Sequence, residues 1–102
     1  MTRRYRITPR AHRDLKNIGR YSMNKWGKEQ RNRYLRALDQ RFAWLVDRPH
    51  VGKHRPDINQ GFYSFPQGSH LIFYLIHENG IDIIGILHKK MDISNYFGEE
   101  WD

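Results

Sequence analysis

Apolar residues change their spacing twice along the chain, dividing it into an alternating opening, two helical stretches and a β-rich second half. Residues 3–8 read Arg-Arg-Tyr-Arg-Ile-Thr, with Tyr5 and Ile7 on one side and cations on the other. This pattern predicts a short strand at a sheet edge, where arginines discourage pairing with another chain. Thr8 suits a helix N-cap, and Pro9 suits the first helical position, where a missing N–H costs nothing. Ala11, Leu15, Ile18, Ser22 and Trp26 then recur at helical spacing as far as Gly27, leaving Arg10, Arg13, Lys16, Asn17 and Arg20 on the other face. Residues 28–47 repeat the pattern, with Tyr34, Leu35, Leu38, Phe42, Leu45 and Val46 inward, until Pro49 stops it. Neither apolar stripe is wide enough to be stable alone, so the two helices are expected to fold back as an αα-hairpin. Trp26, Trp44 and Phe42 are expected in its core rather than as a ligand platform.

Residues 49–61 are rich in turn formers and read as a loop. Three strands are predicted after it, over 62–65, 70–76 and 81–87, joined by Pro66-Gln67-Gly68 and by Glu78-Asn79-Gly80, whose Asn-Gly pair is a strong hairpin signal. The last strand is nearly continuous in β-branched apolar residues, the composition of an interior strand. It ends abruptly in His88-Lys89-Lys90-Met91-Asp92. Rigid strand ends are common places to present function. The tail, 89–102, has no clear period but retains Tyr96, Phe97 and Trp101. The order predicts one α+β domain over 1–102: an N-terminal strand, an αα-hairpin, then a three-stranded antiparallel meander with the helices packed on one sheet face.

Charge adds direction to this outline. The net charge is +7, and up to Gln60 there are sixteen Lys or Arg against five Asp or Glu, whereas the remainder has two against six. The basic half suggests an anionic partner, nucleic acid or an acidic protein segment. The helix faces themselves read as solvated, since no DNA-reading helix arrangement accompanies them. Absence of cysteine excludes disulfides and thiolate chemistry. No apolar leader or membrane-length run appears, so a cytoplasmic protein with no membrane partner is the expectation.

Of six histidines only His50 and His54 are closely spaced, in a loop and without cysteine, so no metal is expected. No Gly-rich phosphate loop, nucleophile elbow or carboxylate pair stands out, and no cofactor is expected. One set could support acid–base cleavage of RNA: Lys53, Arg55, His70, His88, Lys90 and Tyr96. Such cleavage needs a base for the 2′-hydroxyl, cations for the phosphorane and an acid for the leaving oxygen.

Several runs, in order, carry a resemblance across the whole chain. They are Ala11 with Asp14-Leu15, Trp26-Gly27, Arg48-Pro49 with Gly52, Arg55-Pro56-Asp57-Ile58, Phe65-Pro66-Gln67-Gly68-Ser69-His70, Ile72-Phe73-Tyr74, and Ile86-Leu87-His88-Lys89-Lys90-Met91-Asp92. In these the chain resembles the ParE toxins of the RelE/ParE superfamily, the toxin half of bacterial type II toxin–antitoxin pairs. The resemblance implies a toxin that traps DNA gyrase on cleaved DNA, a poison rather than a catalyst. It also implies a ParD-like antitoxin that forms a hetero-oligomer with it, supplies an acidic, poorly ordered segment and makes most of the DNA contact. For gyrase it directs attention to His88, Lys89, Lys90, Met91, Tyr96, Phe97 and Trp101. For the antitoxin we single out Arg13, Arg20, Arg31, Tyr34 and Arg55. The alternative within the superfamily is a ribosome-dependent mRNA endonuclease of the RelE type, for which Lys53, Arg55, Lys90 and Tyr96 would be the catalytic candidates. Ser69-His70 stands where such nucleases resemble one another in an arginine. Gly85 and Tyr63 also replace arginines usual among ParE relatives, which implies a third expectation, an antitoxin-binding module of weak toxicity.

Overall fold

A computed structural model describes residues 4–98 of the chain. Strand β1 (Arg4–Ile7) leads into helix α1 (Pro9–Trp26), and helix α2 (Lys28–Asp47) follows after Gly27. A single 3-10 turn (Pro49–Val51) precedes strands β2 (Lys53–His54), β3 (Phe62–Gln67), β4 (His70–His77) and β5 (Gly80–His88), and a short helix α3 (Ile93–Phe97) follows. The helix starts and stops come from local chemistry. The Thr8 side chain accepts from the Ala11 N–H with Pro9 at the first position, and Gly27, at φ 92°, closes α1 through an N–H bond to the Met23 carbonyl.

The five strands lie in the order β1-β5-β4-β3-β2. β1 is the predicted edge strand, but it runs parallel to β5, so the sheet is mixed rather than wholly antiparallel. Gly80 permits that pairing. It holds φ +144°, and a Cβ there would sit 1.7 Å from the Arg4 carbonyl oxygen. Residues 49–61 are not all loop, since Lys53 and His54 pair with Ser64 and Tyr63 to form β2. β3 runs on through Pro66 to Gln67, and the turn falls at Gly68-Ser69.

The near-continuous apolar run of β5 has a geometric cause. The β4–β5 register shifts between Phe73 and Tyr74, which pair with Gly85 and Ile83 and leave Ile84 unopposed. The extra residue lets Ile83 and Ile86 both face the helices, although they are three positions apart. Between sheet and helices lies the main core, with Ala11, Leu38, Phe42, Leu45, Ile72, Tyr74, Ile81 and Ile83 fully buried. Each such Leu, Ile or Phe contributes about 1.5–3 kcal/mol relative to exposure.

A second cluster, Phe62, Phe73, Ile84, Leu87 and Phe97, occupies the other face, where α3 and Ile58 cover it. The tail residues from Ile93 to Phe97 thus form a helix that the periodicity did not indicate. Trp26 also departs from expectation: it is 59% exposed rather than core, on the last turn of α1. Phe42 is buried and Trp44 half-buried.

Candidate functional site

The site begins where β1 ends. Beyond Ile83, among the described residues, the outer edge of β5 has no strand beside it, and α1 takes over. The Thr8 amide and hydroxyl both donate to the Ile83 carbonyl, at 3.1 and 3.0 Å. Two turns on, Asp14 Oδ2 accepts the Ile86 N–H at 2.9 Å and also accepts the Tyr96 hydroxyl. A carboxylate on α1 therefore completes the backbone ladder and fastens α3. Arg10 closes the other side, its guanidinium 4.0 Å above the Tyr96 ring and bonded to the Tyr96 carbonyl. Burial raises the Asp14 carboxyl above its ordinary value, and burial followed by the Asp14 contact raises the Tyr96 hydroxyl. Gly85 makes this seat possible, because a Cβ there would come within 3.2 Å of the Tyr96 ring and hydroxyl.

On the helix-facing side of the same strand end, His70 pairs with His88 across β4 and β5, their rings edge to face at 5.5 Å. The Tyr34 hydroxyl lies 2.6 Å from His70 Nδ1 and 3.1 Å from the Gln67 carbonyl, and it accepts the Ser69 N–H at 3.2 Å. Burial, then the neighbouring His88, pushes His70 down to about 4, so the ring is neutral at pH 7. After His88 the backbone makes a tight turn. Lys90 N–H donates to His88 Nδ1, Met91 N–H to the His88 carbonyl, and Lys89 N–H to the Ser69 carbonyl, at 2.9 to 3.1 Å.

His88, Lys89, Lys90 and Met91 are all exposed on this turn, Met91 at 48%. His88 and Met91 border a cleft of about 480 Å³ whose opposite wall is Tyr21, Ser22 and Trp26 of α1 and whose floor includes Ile18, His70 and Ile86. Tyr21 and Trp26 are more than half exposed and 5.9 Å apart, with the Lys25 ammonium over both rings. Exposed aromatics beside a methionine are the residue types that anchor protein interfaces.

The residues singled out for gyrase divide accordingly. His88 to Met91 form one continuous exposed surface. Tyr96 is half-buried in the Asp14–Arg10 seat. Phe97 is 3% exposed and packs edge-on against Phe62 and Phe73, which corrects its assignment to the surface. Trp101 lies outside the described residues.

The antitoxin candidates do not converge. Arg20 and Arg31 line a groove of about 670 Å³ along the two helices, floored by Leu15, Gly19 and Leu35. Arg13 is exposed on α1, and Tyr34 faces the strand-end cleft instead. Arg55, with a side chain only 16% exposed, makes paired contacts to both Asp57 carboxylate oxygens at 3.2 and 3.1 Å and lies over Phe73.

The acid–base set also separates. Lys53 and Arg55 belong to the β2 end of the sheet, whereas Lys90 follows β5, three strand spacings or about 14 Å away. Arg55 and Tyr96 attend the α3-covered face, while His70 and His88 turn toward the helices, so of the six side chains only the two imidazoles pack together, with the Lys90 backbone N–H on His88.

Sequence reasoning missed Asp14 as the group that seals β5, along with the exposure of Tyr21 and Trp26. Asp14 offers one signal, a lone carboxylate within a basic helix. Among the described residues no group of three or more His, Asp or Glu is placed to hold a metal, and no helix is long and apolar enough to cross a membrane.

Comparison with known proteins agrees across most of the chain. The family model described as the ParE toxin of type II toxin-antitoxin system, parDE, matches residues 5–93. Toxin ParE1 of Mycobacterium tuberculosis is 32% identical over 94 residues, covering 91% of this chain and 96% of the relative. Toxin ParE1 of Caulobacter vibrioides is also 32% identical over 94 residues, covering 92% and 97%. Among solved structures, a chain of the chromosomal ParDE TA system from P. aeruginosa superposes with a TM-score of 0.73 at 17% identity, covering 85% of this chain and 96% of that one. The YoeB dimer from Staphylococcus aureus shares the fold more distantly, with a TM-score of 0.58, 17% identity and coverage of 86% and 98%. With its order of elements, its strand-end motif and this match over residues 5–93, the chain belongs to the ParE toxin family of type II toxin–antitoxin systems.

Proposed function

We propose that this ParE-type toxin poisons DNA gyrase by holding the enzyme on cleaved DNA, and that a ParD-like antitoxin neutralises it. The observation that carries the reading is the turn from His88 to Met91. Its side chains are exposed while its backbone is tied to Ser69 in the turn before β4, and it stands beside the Tyr21–Trp26 wall. A rigid, cationic and partly apolar projection suits insertion against a protein–DNA complex. Poisoning requires tighter binding to the cleaved than to the resealed state, because only differential affinity shifts an equilibrium. The groove carrying Arg20 and Arg31 suits an acidic antitoxin segment that orders on binding.

A non-catalytic mode fits the chemistry at hand. The Tyr96 hydroxyl is raised and committed to Asp14, and Arg55 is committed to Asp57. The test is a supercoiling and cleavage assay with purified gyrase, run beside an mRNA cleavage assay on translating ribosomes. The native protein should accumulate linear DNA with protein on its ends and leave mRNA intact. Lys89→Glu with Lys90→Glu should lower trapping at least about tenfold while the far-UV spectrum is retained. Full trapping by the folded double variant would exclude the turn, and codon-positioned mRNA cuts with unaffected gyrase would replace the gyrase reading by the nuclease one. Expression without antitoxin should arrest growth; continued growth would favour the weakly toxic binding module.

A further inference from the structure

At the edge of the sheet remote from β1, three rings stack in a column across three strands. Tyr74 of β4 is its buried base; the hydroxyl donates to the Pro49 carbonyl at 2.7 Å and accepts the Gly52 N–H at 3.2 Å. Tyr63 of β3 lies against it at 5.8 Å and 25°, and His54 of β2 lies against Tyr63 at 4.9 Å and 26°. His54 is exposed, and its Nε2 is fixed 2.7 Å from the Gln60 carbonyl. β2 is the last strand, so among the described residues no ring covers the outer face of this imidazole.

Two positions along the same face of β3, Phe65 packs on Trp44 of α2 at 5.3 Å. Trp44 is flanked by two guanidiniums, those of Arg41 at 4.6 Å and Arg48 at 4.9 Å. Arg48 is exposed, and among the described residues neither arginine has a carboxylate within ion-pair distance, although Asp47 is adjacent in sequence. Flat rings held in fixed planes thus stand beside two cations on Trp44 that make no ion pair among the described residues, Arg41 being oriented by an Nε–H bond to Gln67 Oε1 at 2.8 Å.

We propose that this face binds single-stranded nucleic acid, seating an unpaired base on the outer side of His54 and passing the phosphates by Arg48 and Arg41. The face shares no residue with the strand-end turn and its cleft, and it would stand if the gyrase reading failed. The choice of ligand follows from what the face offers. Stacking on aromatic rings accepts any base, while nearby cations follow the backbone. An acidic peptide would satisfy the arginines but leave the ring column unextended. A duplex would also satisfy them, but it keeps its base faces covered. The column is fixed in advance by the Tyr74 and His54 bonds, so little side-chain freedom is lost on binding.

The experiment is fluorescence anisotropy of labelled oligothymidylate, oligouridylate and a blunt duplex of equal length, titrated with the purified protein at several salt concentrations. Both single strands should bind about tenfold or more tightly than the duplex, and log K should fall against log salt with a slope of about −1.4 to −2 for two or three phosphates. His54→Ala should weaken single strands by at least about fivefold. Arg48→Gln should reduce the slope by about 0.7. Arg33→Gln, the same charge change elsewhere on the exposed face of α2, should leave affinity within about twofold. Equal binding of duplex and single strands, or equal losses from Arg33→Gln and Arg48→Gln, would reduce the effect to diffuse charge and overturn the assignment. So would a lack of binding at low salt, or a polyglutamate probe that binds with the same dependence on His54.

Discussion

His70 and Asp14 sit within one cleft, yet burial moves their titrations in opposite directions for stability. His70 falls from 6.5 to about 4, so between these values the unfolded chain binds more protons than the folded one. Its contribution is therefore fully present above about pH 6.5 and is lost as pH falls toward 4. Allowing for solvent screening of a half-buried ring, this amounts to about 1–2 kcal/mol. Tyr34 and His88 face the imidazole and donate no competing negative charge at these pH values. Asp14, raised by burial, opposes the trend near the acid end of the window. Urea midpoints measured from pH 7 to 4.5 should fall with a steeper pH slope in the native chain than in His70→Gln. Equal slopes would mean that another group carries the acid sensitivity. Neither shift was legible in the sequence: Ser69-His70 reads as a strand start, and only the fold puts Tyr34, thirty-six residues earlier, against its ring.

At the scale of elements, helices were the most legible because their limits are set by neighbours in sequence. Thr8, Pro9 and Gly27 do their work within four residues. β2 and α3 were not legible for the complementary reason. A two-residue strand exists only through its bonds to β3, and a five-residue helix is far too short to stand without burial. What holds α3 is Phe97 on Phe62 and Phe73, together with Tyr96 in the notch above Gly85. The space that the missing side chain of Gly85 leaves is thus filled by the ring of Tyr96. Gly85→Arg should push Tyr96 off Asp14, lower hydrogen-exchange protection across residues 93–97 and cost about 1–3 kcal/mol. Tyr96→Phe should do less, at about 1 kcal/mol, because the ring still packs while one hydrogen bond is lost. Retained protection in Gly85→Arg would show that the Phe97 contacts alone hold the helix.

Across the whole molecule, the charge asymmetry visible in sequence becomes an asymmetry of surfaces. The cations of residues 4–60 fall largely on the outer faces of α1 and α2 and along the β2 edge, whereas β4 and β5 supply mostly core. On the proposed reading, capture of an acidic antitoxin segment is steered by this field. Its association rate should drop about tenfold or more between low and physiological salt while dissociation changes little. Arg20→Glu with Arg31→Glu should flatten that dependence. A salt-independent rate would place recognition in apolar contacts instead.

The sequence alone determined the two helices and their caps, the three main strands, the basic first half and the exposed cationic exit from β5. Each of these depends on spacing, turn chemistry or charge carried by adjacent residues. The tertiary structure alone decided that β1 pairs in parallel with β5 and that Asp14 finishes the β5 ladder. It also withdrew Phe97 into the core, exposed Trp26, separated Lys53 and Arg55 from Lys90, and stacked His54, Tyr63 and Tyr74 across three strands. These outcomes join residues from different elements, and their energies come from burial and hydrogen bonds that exist only once the sheet and the hairpin have met.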